Sequence, residues 1–151
     1  MASRPGVGDP APGFTLAGTP GGRLYSLERG RPVVLVFYPA DHTPVCTMQL
    51  RQYSADMDQF VDLGASVLAL SPQDVASHER FAADHALAVP LLSDIDKAVG
   101  RAYGVVGPLG FYKRSVFVID AGGTIRYAHR SSQGTTYRRT DELVEAVQAA
   151  R

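Results

Sequence analysis

Six consecutive apolar residues, Val33 to Tyr38, are followed at once by Pro39 and, seven positions later, by Cys46, the only cysteine in 151 residues. This stretch constrains the fold more than any other. A run of β-branched and aromatic residues without polar alternation predicts a strand covered on both faces, the central position of an α/β sheet. Pro39 ends the strand because it has no N–H to give to a ladder. Thr43 then reads as a helix N-cap, with Pro44 at the first helical position, where its missing N–H costs nothing. On that register Cys46 falls in the first helical turn, where backbone N–H groups lack intrahelical acceptors and the dipole is positive. Such a place suits a thiolate.

The remaining segments predict a single domain. Phe14-Thr15-Leu16 and Leu24-Tyr25-Ser26-Leu27 flank Gly18-Thr19-Pro20-Gly21-Gly22 and read as an N-terminal hairpin, preceded by an extended tail over residues 1–13. From Thr43 to about Leu63, apolar residues recur at spacings of three and four, which predicts one long helix ended by Gly64. Ala65 to Leu70 is a second buried strand, and a helix from about Asp74 to His85 carries Val75, His78, Phe81, Ala82 and His85. Val89 to Ser93 is short and extended, and Asp94 or Asp96 caps a short helix reaching Tyr103. Lys113 to Asp120, the turn Ala121-Gly122-Gly123 and Thr124 to Ala128 read as an antiparallel hairpin. Polar loop follows from Ser131 to Arg139, then an amphipathic helix from Thr140 with Leu143, Val144 and Val147 inward. This order predicts a mixed β-sheet with helices on both faces, and ligands in such folds sit beyond the carboxyl ends of the parallel strands.

Composition excludes several classes. Fifteen basic and fifteen acidic residues cancel, which gives no argument for nucleic acid or an anionic membrane. Tyr137-Arg138-Arg139 is too small a basic patch to change that. The histidines show no metal-ligand spacing with a cysteine or carboxylate. Met1 to Gly6 lacks the apolar run of a secretory signal, and a lone thiol suits a reducing compartment, so the expectation is a cytoplasmic protein.

A cysteine by itself is as often a small buried hydrophobe as a reagent. A thiol of ordinary pKa, near 8.5, is only about 3% ionised at pH 7. Making the thiolate dominant requires a shift of roughly two units, about 2.7 kcal/mol. A helix terminus supplies typically about 0.3–1 kcal/mol, so a fixed cation and hydroxyl donors must supply the rest. Thr43, three residues earlier, offers a hydroxyl.

Pro39-Ala40-Asp41-His42-Thr43-Pro44-Val45-Cys46 has the Pro-x-x-x-Thr-x-x-Cys pattern of the peroxiredoxins, thiol peroxidases of the thioredoxin superfamily. With Phe37-Tyr38-Pro39 and Thr47 it most resembles the Q-type branch, the bacterioferritin comigratory proteins. Similarities also cover Val7 to Leu16, Pro90-Leu91-Leu92-Ser93-Asp94 and Arg114 to Asp120. The resemblance implies a thioredoxin-like fold and a peroxidase that needs no metal or cofactor. It implies a peroxidatic role for Cys46, a hydroxyl from Thr43 to thiolate and peroxide, shielding by Pro39, and a guanidinium from Arg114 for the migrating charge. Gln49 matches a position that orients this arginine, while Tyr38 and His42 adjoin the motif; His42 also reads as a solvent-facing loop residue. Q-type members often carry a resolving cysteine five residues after the first, and here that position is Arg51. The chain thus resembles one-cysteine members, including E-type alkyl hydroperoxide reductases. Their sulfenic acid is reduced by an external thiol: thioredoxin, glutaredoxin or a small thiol. The implied assembly is a monomer or weak homodimer. A peroxide sensor that passes its oxidation to one partner protein is the alternative function. A thioredoxin-like oxidoreductase is disfavoured by threonine at the first position of Thr43-Pro44-Val45-Cys46, where a Cys-x-x-Cys motif needs sulfur.

Overall fold

Side chains alternate across the central strand and divide the interior into two layers. In a computed structural model describing residues 4–131 and 136–151, that strand, β3 (Val33–Phe37), is buried along its whole length. Val34, Val36 and Tyr38 point into one apolar cluster, and Val33, Leu35 and Phe37 into the other. This is the period of two a strand imposes when both faces are covered.

The sheet has seven strands in the order β2-β1-β5-β4-β3-β6-β7. The hairpin β1 (Thr15–Gly18) and β2 (Arg23–Ser26) forms one edge, joined antiparallel to β5 (Leu91–Ser93). β5 and β3 flank β4 (Ser66–Ser71), and both pair with it in parallel. β6 (Ser115–Ile119) pairs antiparallel with β3, and β7 (Ile125–Arg130) closes the other edge. The expected mixed sheet and N-terminal hairpin are therefore present. The segment before the hairpin is not extended throughout: it turns over Val7 to Asp9, where Asp9 N–H donates to the Gly6 carbonyl at 3.0 Å, and its Gly8 and Ala11 amides donate to the Ile125 and Gly123 carbonyls at 2.8 and 2.9 Å.

Helices cover both faces. The cluster around Val36 and Tyr38 includes Leu50 and Tyr53 of α1 (Pro44–Ala55), Phe60 of α2 (Met57–Val61), Phe81 of α3 (Val75–His85), and Leu143 and Val147 of α5 (Thr140–Ala149). The opposite face is covered by Val99 of α4 (Ala98–Ala102), Tyr103 and Val105, with Leu16 and Tyr25 of the hairpin against its edge. Phe37, Tyr103 and Phe117 form an aromatic knot there, with centroids 5.1–5.7 Å apart.

Two further local expectations need correction. The single helix over Thr43 to Leu63 is broken at Asp56, whose φ of −97° and ψ of 11° lie outside the helical range. The Asp56 carboxylate accepts from Gln52 Nε2 of α1 and from Thr140 Oγ1, each at 2.7 Å, which ties the break to the start of α5. The α4 N-cap is Lys97, in the left-handed region, and neither aspartate occupies that position. Both still satisfy the helix start, because Asp96 accepts from Ala98 N–H and Asp94 from those of Val99 and Gly100. Of the loop expected over Ser131 to Arg139, positions 132–135 lie outside the described residues.

Asp94 also accepts from the Tyr112 hydroxyl, locking the ring whose edge lies against Gly100. A Cβ at Gly100 would stand 2.5 Å from Tyr112 Cε1, and the ring is held too firmly to yield. Gly100→Ala should therefore cost about 1–3 kcal/mol, the range of overpacked cores, read as a lower urea midpoint at unchanged slope.

Candidate active site

The antiparallel pairing of β3 and β6 brings two distant segments together. Val33 pairs with Ile119 and Phe37 with Ser115. One further step of that register sets Arg114 opposite Tyr38, where β3 ends. Pro39 turns the chain away, and α1 returns to the same point with Cys46 on its buried face. Arg114 Nη2 lies 3.2 Å from Cys46 Sγ, across 68 positions of sequence.

α1 begins as expected. Thr43 is the N-cap residue with an extended backbone, and Pro44 is the first helical position. Thr47 N–H donates to the Thr43 carbonyl at 2.9 Å, so the amides of Val45 and Cys46 precede the first N–H that has an intrahelical acceptor. Cys46, Gln49, Leu50 and Tyr53 share the buried stripe. Cys46 is 1% exposed and Arg114 4%.

A directional chain of donors fixes the guanidinium. Arg114 Nη1 donates to Gln49 Oε1 at 2.6 Å, Gln49 Nε2 to the Tyr53 oxygen at 3.4 Å, and the Tyr53 hydroxyl to the Arg138 carbonyl at 2.5 Å. Burial pushes the Tyr53 phenol far above its usual range, so it stays a donor. The orienting group is a neutral amide. Gln49 therefore holds Arg114 in place without cancelling its charge.

The other sequence-derived residues are distributed around this pair. Pro39 is half-buried at the strand end. The Thr43 hydroxyl donates to the Ala40 carbonyl at 2.9 Å, closing the β3–α1 loop, and makes no hydrogen bond to the sulfur among the described residues. Tyr38 is buried behind Cys46. Its phenol is raised well above the usual range by burial and by the adjacent Asp41 charge. His42 is directed at α3, not at Cys46. It has φ of 63°, its ring lies 5.0 Å from that of Phe81, and its Nε2 is 3.2 Å from Asp84 Oδ2. The small basic patch is largely paired: Arg138 meets Glu142 at 3.6 Å and Arg139 meets Asp141 at 3.1 Å. A cleft of about 260 Å3 opens beside Arg114, walled by Pro108, Leu109, Phe111 and Tyr112.

Sequence reasoning missed the hub of the loop, Asp41. Its carboxylate accepts from Tyr38, Ser77 and His78, each at 2.7 Å, and its N–H donates to Gln73 Oε1 at 3.1 Å. The signal was faint: a histidine at an inward position of an otherwise apolar helix face.

The amino-acid sequence matches the AhpC/TSA family over residues 7–128. The chain belongs to the peroxiredoxins. A chloroplastic peroxiredoxin Q of Oryza sativa is 38% identical over 128 residues, which are 82% of this chain and 58% of the rice protein. The chain thus spans less than two thirds of that relative's length. A Mycobacterium tuberculosis protein named as a peroxiredoxin is 35% identical over 136 residues, 85% of this chain and 87% of its own. Among solved structures, Xanthomonas campestris peroxiredoxin Q superposes with a TM-score of 0.81 at 31% identity, covering 90% of each chain. Mycobacterium tuberculosis AhpC gives 0.84 at 26%, covering 97% and 93%. The thioredoxin-like fold expected of a peroxiredoxin is present. No group of three or more metal-ligating side chains occurs among the described residues, and no helix there is long and apolar enough to cross a membrane.

The Asp41 hub makes a pH prediction. Burial pushes its carboxyl up, but the hydrogen bond and charge of His78, with the Tyr38 and Ser77 bonds, outweigh it and hold the carboxyl below its usual 3.8. A depressed carboxyl contributes stability that is complete above its unfolded value and is lost as pH falls through the folded one. Asp41→Asn should cost about 2 kcal/mol at pH 7. The difference from wild type should shrink below about pH 4, seen as converging urea midpoints.

Proposed function

We propose that this chain is a thiol-dependent peroxidase working through Cys46 alone. The observation that carries the proposal is the buried contact of 3.2 Å between the Arg114 guanidinium and Cys46 Sγ. The Cys46 thiolate attacks one peroxide oxygen. An S–O bond forms as the O–O bond breaks, and the departing oxygen takes a proton and leaves as water or an alcohol. Cys46 is thereby oxidised to a sulfenic acid. Negative charge moves from sulfur to the leaving oxygen, and a delocalised guanidinium with several donors serves both ends of that path.

Family roles are assigned to the matching residues. Thr43 gives its hydroxyl to the peroxide, which requires release of its bond to the Ala40 carbonyl. Pro39 screens the pocket from water, and Gln49 keeps Arg114 aimed. The 151 residues contain no second sulfur from cysteine, so an external thiol completes the cycle. Its thiolate attacks the sulfenic sulfur and displaces water, and a second thiol reduces the mixed disulfide and returns Cys46. Thioredoxin, glutaredoxin and a small thiol all satisfy this chemistry, and a reducing compartment such as the cytoplasm would supply them.

Cys46→Ser should reduce peroxide consumption to the uncatalysed background in the presence of reductant; retained consumption would refute the assignment. Arg114→Ala should slow Cys46 oxidation roughly 100-fold or more in rapid-mixing experiments, the usual cost of removing a charge-stabilising donor. Repeated turnover with a generic thiol is the expected behaviour. Stalling after one equivalent of peroxide would favour the sensor instead.

A further inference from the structure

One fully buried titratable group has no part in this chemistry. His78 sits on the inner face of α3 with no solvent exposure; Nε2 faces a carbonyl, and Nδ1 faces a carboxylate at close range and the Tyr38 hydroxyl at 3.4 Å. Nε2 is 3.1 Å from the Leu92 carbonyl oxygen, and Nδ1 is 2.7 Å from Asp41 Oδ2. A neutral imidazole has one N–H, so either tautomer would press a lone pair against one of these oxygens. The imidazolium has a donor at each nitrogen and satisfies both. Asp41 is suited to be its carboxylate partner, since its oxygens also accept from the Tyr38 and Ser77 hydroxyls.

The location gives this pair a consequence for Cys46. Asp41 lies between Pro39 and Thr43 in the loop that leads from β3 into α1, whose first turn carries Cys46. His42, next to it, rests on Phe81 and bonds Asp84, so the loop is fastened to α3 on a buried and an exposed side. Removing His78 takes away the charged member of the buried fastening and leaves the Ser77 and Tyr38 hydroxyl bonds to Asp41, the exposed His42 contacts, the Thr43 hydroxyl's bond to Ala40 and the Asp41 amide's bond to Gln73.

We propose that His78 is a positioning residue, a buried imidazolium whose bond to Asp41 latches the Pro39–Thr43 loop over Cys46 in its peroxide-reactive form. The latch rests on Cys46 being the peroxide-reactive group. It is tested on the full chain in two ways. Nitrogen-15 NMR of histidine-labelled protein at pH 7, with His78 assigned by its absence in His78→Gln, should show both ring nitrogens protonated; a neutral ring overturns the proposal. His78→Gln and Asp41→Asn should each slow Cys46 oxidation by hydrogen peroxide about tenfold while speeding its alkylation by a bulky maleimide about tenfold. The double variant should change neither rate further, because the two side chains form one unit; effects that multiply would overturn the latch. Should the variants fail to fold, His78 is assigned by elimination, with His42, His85 and His129 each replaced by Gln, and the ring signal still decides. Should wild-type Cys46 prove inert to peroxide, the peroxidase reading fails, while alkylation and ring protonation judge the latch separately.

Discussion

The antiparallel register between β3 and β6 is the constraint on which the site depends. Sheet side chains alternate with a period of two, so a slip of one residue would send Arg114 to the other face of the sheet. The register is pinned by Val34, Val36, Val116 and Val118 packed on one side and by Leu35, Phe37, Phe117 and Ile119 on the other. Ser131 N–H holds the Arg114 carbonyl at 2.9 Å from the far strand, so the backbone that presents the guanidinium is fixed from both neighbours. Core packing thereby sets an interaction that is electrostatic in character. At an effective dielectric of about 20, two unit charges about 4 Å apart attract by roughly 4 kcal/mol, against about 0.3–1 kcal/mol from a helix terminus. Of the two favourable fields at the Cys46 sulfur, the guanidinium's is therefore the larger.

What was legible in the sequence was whatever local pattern decides. Uninterrupted apolar runs located β3, β4 and β6, and the Thr43-Pro44 pair located the start of α1. The motif residues Cys46, Arg114 and Gln49 do converge. The rest was settled by partners far along the chain. The break at Asp56 is tied to Thr140, 84 positions away, and α3 reads as an ordinary amphipathic helix unless Asp41, 37 positions from His78, is known to lie against it. The Thr43 hydroxyl illustrates the same limit at short range. Its spacing from Cys46 is one helical turn, yet its hydrogen bond goes to the Ala40 carbonyl.

The position of Arg51 bears on how the chemistry must finish. At about 100° per residue, position 51 lies roughly 140° around α1 from Cys46. The structure agrees with that angle: Cys46 is buried and Arg51 is exposed. A second sulfur at 51, where Q-type relatives often have one, could reach Cys46 only if the helix between them came apart. With arginine there, no disulfide between positions 46 and 51 rewards that opening. On the proposed one-cysteine cycle, the barrier to recycling falls on the access of an outside thiol to a sulfur 1% exposed. The β3–α1 loop is short, and it is joined to its surroundings through Asp41 by side-chain bonds in place of a helical ladder. A one-cysteine member of this fold thus needs a loop firm enough to keep Thr43 and Pro39 in place during oxidation and loose enough to admit a thiol afterwards. Hydrogen bonds from side chains, each worth about 1 kcal/mol net, give a fastening of that strength.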